Sequence, residues 1–166
     1  MPVQAIARVD SVAIEHLYQD HYRDVFRYAL GLTRSLDEAE EITADTFERA
    51  LRAWQQVPPR PVAWLLLTAR RIATDRWRRA RRLARILLAP GPRRPEPLRW
   101  QESEFGAWFD GLAAVLTPRQ REVLILRYQR DLTDADIGAV MGLSESGVRS
   151  LVARALAVLR SHPELL

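Results

Sequence analysis

Eight arginines share the stretch Arg70–Arg85 with a single acid, Asp75, so eight positive charges less one leave +7 on one segment. Arginine is always charged, and its planar fork matches phosphate two bonds at a time and stacks on bases. Trp64 and Trp77 lie in the same region. Cations for the backbone and aromatic faces for the bases are what single-stranded nucleic acid requires. Trp64, Arg70, Arg71, Arg76, Arg78, Arg79 and Arg82 are the candidate ligands. Trp77 is in helical register with Ile72 and Ala73, which predicts that it faces a core.

An opposite charge precedes this segment. Asp37, Glu38, Glu40, Glu41, Asp45 and Glu48 follow one another with no cation between them until Arg49. Asp37 and Glu38 suit the start of a helix, where acids complement the dipole. Asp45 and Glu48 lie beyond that first turn. Glu41, Ala44, Asp45 and Glu48 share one helical face by the three- and four-residue rule. An acidic face on a basic chain fits a basic protein partner.

A third pattern spans Leu132–Leu159. Thr133 is an N-cap with Asp136 three residues on, and Ile137, Val140 and Met141 recur at helical spacing. Gly142 suits a left-handed helix end, and Ser144 caps the next helix. That helix turns Val148, Leu151, Val152, Ala155, Leu156 and Leu159 inward. Two short helices about a glycine turn are the helix-turn-helix plan, whose second helix enters the major groove. Ser144, Glu145, Ser146, Arg149, Ser150 and Arg154 are then placed to read base edges or hold phosphates.

These segments need helices to carry them. Leu17, Tyr18, Tyr22, Val25, Phe26, Ala29 and Leu30 mark an amphipathic helix, broken between Gly31 and Arg34. Ser35 with Glu38 starts a second helix, expected to reach Gln56, with Ala39, Ile42, Thr43, Phe47, Ala50, Leu51 and Trp54 inward. Pro58, Pro59 and Pro61 force a turn before a third. Four prolines, Pro90, Pro92, Pro95 and Pro97, with Gly91, describe an extended linker. Beyond it a short helix reaches Val115. Thr117, Pro118 and Gln120 then begin a helix placing Val123, Leu124, Leu126 and Tyr128 near the core. No strand pattern persists. The expectation is an all-α chain of two small helical domains, residues 11–85 and 107–161, joined by a linker over 86–106.

Composition narrows the function. The chain has 166 residues and a net charge of +4, and every cation is arginine. Such a balance suits a polyanionic partner. Without cysteine there are no disulfides, thiol nucleophiles or Cys-based zinc sites. His16, His21 and His162 have no metal-ligand spacing, so no metal or cofactor is expected. Apolar runs are too short to span a membrane, and the first ten residues lack a signal-peptide pattern, so a cytoplasmic protein is expected. No phosphate-cradling loop, nucleophile elbow or His-centred pair supports catalysis.

Taken in order, these segments resemble the extracytoplasmic function (ECF) sigma factors of the sigma-70 family. Glu38–Trp54, EAEEITADTFERALRAW, is similar to the core-binding segment of region 2. Pro61–Arg82 looks like the region 2 helix that opens and reads the −10 element. Leu116–Tyr128 and Leu132–Leu159 resemble region 4, which reads the −35 element. The resemblance implies that Glu41, Asp45 and Glu48 face the β′ clamp helices of RNA polymerase. It also implies that the helix from Trp64 to Arg82 melts and holds the −10 strand, and that region 4 touches the β flap. Such proteins are often held by an anti-sigma factor. Ala44 stands where the family usually has a polar residue, Arg71 where Asn is common, and Ser146–Gly147 where Gly–Thr is usual.

Two other readings stay open. A freestanding helix-turn-helix regulator would pair the DNA-binding end with a helical effector or dimerisation domain. An adaptor would use the basic helix to hold an acidic protein.

Overall fold

A computed structural model describes residues 3–88, 111–129 and 132–165. Among them there are helices and no strand. The linker expected over 86–106 falls outside the described residues from 89 onward.

Helix α1 spans Val3–Thr33, starting well before Leu17. It buries Leu17, Val25, Tyr28, Ala29 and Leu30 and leaves Tyr18 exposed. It runs through Gly31, and the break comes at Arg34, which takes φ 56° and donates its N–H to the Leu30 carbonyl. Helix α2 spans Leu36–Arg52, and the Ser35 side chain accepts from the Glu38 N–H as foreseen. Its inner face includes Thr43 and Thr46, whose hydroxyls donate to the Ala39 and Ile42 carbonyls at 2.7 Å each. Those bonds remove the penalty of burying a hydroxyl. The helix ends a turn early in a 3-10 segment, Trp54–Gln56, and Leu51 points outward, contrary to expectation.

Helix α3, Val62–Ile86, starts directly after Pro61. It buries Leu65, Leu66, Ala69 and Ile72, and no residue beyond Ile72 is buried. The expectation for Trp77 is therefore corrected: its side chain is 54% exposed. The inward stripe stops one turn earlier, because α3 outlasts the helices it packs against.

Residues 111–115 are helical, followed by α4 (Pro118–Arg127), α5 (Asp134–Met141) and α6 (Glu145–Arg160). Thr117 with Gln120 and Thr133 with Asp136 form complete capping boxes. The Thr133 backbone bond, more than any other contact, holds the Asp136 carboxyl below the usual range, and Arg60 adds a smaller attraction. Tyr128 closes α4 and is 72% exposed, so it does not join the core as expected.

Gly142 ends α5 at φ 67°, where any L side chain is strained. The turn is closed by the Leu143 N–H on the Gly138 carbonyl at 2.9 Å. A Cβ on Gly138 would lie 2.5 Å from the Leu143 carbonyl oxygen, so the turn closes onto bare backbone. Gly147 has a milder reason: its N–H donates to Ser144 Oγ, and a Cβ there would come within 3.2 Å of that hydroxyl.

The first three helices pack on one another, as do the last three, and α1 meets α4 while α3 meets α5. Leu65, Leu66 and Ile72 from one half and Leu112, Leu126 and Ile137 from the other belong to one buried apolar cluster.

Gly138→Ala is expected to destabilise the protein by about 1–3 kcal/mol, because backbone must move. Gly147→Ala should stay within ~1 kcal/mol, since a helix-propensity gain offsets a shift of one hydroxyl. Thermal unfolding of the two variants checks the contrast, and equal losses would refute it.

Candidate functional site

On α2, Glu41, Ala44 and Glu48 are exposed and Asp45 is partly covered. All three carboxylates on this face are already engaged. Arg76 reaches across from α3, donating Nη1 to Glu41 and Nη2 to Asp45, the latter at 2.8 Å. Arg52 pairs with Glu48 one turn away. The acidic face and the arginine helix are therefore one electrostatic unit at this point.

The arginines of α3 separate into two groups. Arg71, Arg78, Arg79 and Arg82 are exposed, with Arg81 set over the Trp77 ring at 4.5 Å. Together they make a basic surface with an aromatic face in it, so Trp77 joins the surface rather than the core. Trp64 is half-buried and packs against the core. Arg70 and Arg76 stand apart, each held by carboxylates.

Arg70 donates Nε to Glu122 Oε1 at 2.7 Å, and the Tyr28 hydroxyl donates to the same oxygen at 2.8 Å. Tyr28 is fully buried and the Glu122 side chain is 8% exposed. An ionised carboxylate out of water needs such donors, because an unpaired buried charge costs several kcal/mol. Burial above all, and then the Glu122 charge, pushes the Tyr28 phenol well above its ordinary value of 10.0. Nearby, the Gln129 side-chain amide donates to the Asp24 carbonyl at 3.1 Å, a second polar tie between α1 and the C-terminal half.

Sequence reasoning missed Tyr28 and Glu122. Tyr28 is one turn from Val25 and reads as core. Glu122 borders Val123 and Leu124, and a carboxylate beside an apolar run is the one available sign. Its partners are 52 and 94 residues away, beyond any local pattern.

On α6, Ser144, Glu145, Ser146, Arg149, Ser150 and Arg154 are all exposed. Val148, Ala155 and Leu159 anchor the opposite face. Arg149 lies 3.4 Å from Asp134 and 3.7 Å from Glu145, and Arg154 Nε donates to the Ser150 carbonyl at 3.3 Å. The Asp134 carboxylate is shared with Arg127. These arginines are steered by neighbours yet open to a polyanion.

Among the described residues no group of His, Asp or Glu could hold a metal ion, and no helix is long and apolar enough to cross a membrane.

Two family descriptions match this arrangement: Sigma-70 region 2 over residues 17–83, and Sigma-70, region 4 over residues 112–161. The ECF RNA polymerase sigma factor SigL of Mycobacterium tuberculosis is 30% identical over 169 residues, covering 95% of this chain and 93% of SigL. The chain belongs to the ECF sigma factors of the sigma-70 family. SigC of the same species is 32% identical over 166 residues, covering 95% of this chain and 87% of SigC. The structure of the sigma factor RpoE with the anti-sigma factor NepR from Bartonella quintana superposes with a TM-score of 0.71. At 20% identity, covering 89% of this chain and 94% of RpoE, it shows a shared fold. As a sigma factor the chain serves RNA polymerase in transcription initiation, with core polymerase and promoter DNA as its partners.

The buried phenol gives a testable consequence. Its folded pKa is raised, so its contribution to stability is complete below pH 10.0 and is lost as pH rises past that value. Tyrosinate absorbance should show fewer than the four tyrosines ionising while the protein stays folded. Tyr28→Phe should leave that native titration unchanged. A native titration that Tyr28→Phe reduces by one group would contradict the assignment.

Proposed function

We propose that residues 11–85 act as region 2, residues 107–161 as region 4, and residues 86–106 as the linker between them. Glu41, Ala44, Asp45 and Glu48 dock on the β′ clamp helices of core polymerase. Trp64, Arg70, Arg71, Arg76, Arg78, Arg79 and Arg82 engage the −10 element. Ser144, Glu145, Ser146, Arg149, Ser150 and Arg154 engage the −35 element, with region 4 also touching the β flap. The protein works by binding, without a catalytic centre of its own, and does so in the cytoplasm.

The observation that carries this reading is the separation of charge over the surface. One acidic helix face suits a protein partner. Two exposed arginine surfaces, on α3 and at the start of α6, suit nucleic acid. Within α3, Arg71, Arg78, Arg79 and Arg82 are open to DNA as the protein stands, and Arg76 is equally suited to ordering the carboxylates of the docking face. An anti-sigma factor is a further expected partner, supported by the complex in which RpoE was solved.

The decisive experiment is transcription in vitro with core polymerase on a genomic library, with and without the protein. New starts preceded by one shared pair of motifs establish the reading. No new starts, with duplex binding by the protein alone, would favour a freestanding regulator.

Charge removal at the docking face should weaken polymerase binding. Arg76 beside Glu41 and Asp45 makes arginine substitutions there a test of repulsion within the fold, so Glu41→Gln with Asp45→Asn is the cleaner pair. A loss of about 1–2 kcal/mol, or roughly tenfold in affinity, is expected at low salt. Unchanged affinity would refute the docking assignment.

Arg149→Ala should lower affinity for −35 sequence by about 1–3 kcal/mol when its guanidinium reads a base. Competition between matched and mutated −35 duplexes, measured on the holoenzyme, checks this. Equal weakening on every sequence would make Arg149 a phosphate contact instead.

A further inference from the structure

The two halves of the chain are joined by a polar contact that promoter binding does not need. Glu122 on α4 reaches α1 and α3, taking Nε–H of Arg70 and the hydroxyl of Tyr28 on one oxygen. Arg70 lies on the helix assigned above to the −10 strand. A carboxylate oxygen on a guanidinium is chemically what a phosphate oxygen would be there. Apolar packing accompanies it, since α3 lies against α5 and α1 against α4.

Geometry sets this arrangement against function. Elements at −10 and −35 lie roughly 25 base pairs apart, or about 85 Å along the duplex at 3.4 Å per pair. A compact chain of this length has a radius of gyration of about 15 Å. One closed body cannot reach both elements. The contact holding the halves together must therefore break when both are engaged.

We propose that Glu122 is an internal latch: in the free protein it occupies Arg70 in place of a nucleic-acid phosphate and holds region 4 against region 2. Opening releases Arg70 to the −10 strand and frees the region 4 surface to reach its own element. The access of Arg70 to DNA rests on the −10 reading given above, whereas the closure itself does not.

The test uses the full chain, free of polymerase and DNA. Glu122→Arg sets like charges against each other at the latch, and the swap Arg70→Glu with Glu122→Arg restores opposite ones. The chain has no cysteine, so Asp20→Cys and Arg160→Cys accept a dye pair without other changes. Wild type should scatter with a radius of gyration near 15 Å and show strong energy transfer. Glu122→Arg should raise the radius by several ångströms and reduce transfer, with helical circular dichroism retained. The swap should move both values back toward wild type. A helical Glu122→Arg variant with wild-type radius and transfer would overturn the latch, as would a swap as open as the single variant. Where Glu122→Arg does not fold, Glu122→Gln replaces it. That variant must at least double the open fraction seen in wild type, and no rise overturns the proposal.

Binding to a single-stranded −10 oligonucleotide gives the functional arm. Glu122→Arg should bind several-fold more tightly than wild type without polymerase, and the gain should vanish when Arg70→Ala is added. An open variant with no gain would retain the latch and refute the assignment of Arg70 to DNA, so the two ideas fail separately.

Discussion

One buried carboxylate oxygen joins three helices from the two halves of the chain. Glu122 accepts from both Arg70 and Tyr28, and the chain folds back so that α4 meets α1 and α5 meets α3 around that point. A charge in such a place contributes little net stability, because desolvation nearly cancels attraction. Removing one partner is another matter, typically costing about 3–5 kcal/mol, reduced here because Arg70 remains about one-third exposed. What the contact supplies is definition. Apolar surfaces tolerate many mutual orientations, whereas a phenol and a guanidinium on one oxygen tolerate few.

Charge is partitioned on the same principle elsewhere. Arg76 clamps Glu41 and Asp45, Arg52 holds Glu48, and Arg127 and Arg149 share Asp134. Arginines that touch acids sit where helices meet or where a turn begins. Those left open are concentrated on the far end of α3 and on the outer face of α6. A formal charge of +4 understates the field these surfaces present, since six acids are gathered on α2 and Glu122 and Asp134 are taken up by pairs within the fold.

Much of this was legible in the sequence, and the reasons are local. Ser35, Thr117, Thr133 and Ser144 cap helices because a side-chain oxygen three residues before a free N–H satisfies it wherever the chain goes. Gly142 marks a left-handed turn for the same kind of reason. Trp77, Tyr128 and Leu51 were misplaced because periodicity says which face is apolar, and only the neighbouring helices decide where that face stops being covered. The split of the α3 arginines was not legible at all. Arg70 and Arg71 are adjacent and chemically identical, yet a carboxylate far along the chain occupies one and leaves the other open.

The free end of α3 has a thermodynamic consequence. Past Arg76, whose ion pairs still tie α3 to α2, no residue of the helix is buried, so the remaining turns are held chiefly by their own backbone bonds. Arg78 faces Arg82 and Arg81 faces Arg85 at four-residue spacing, where like charges oppose the helix by a few tenths of a kcal/mol per pair. A bound polyanion cancels that repulsion. Winding this end and neutralising it are then one linked equilibrium, in which ionic strength shifts helix content and ligand affinity together.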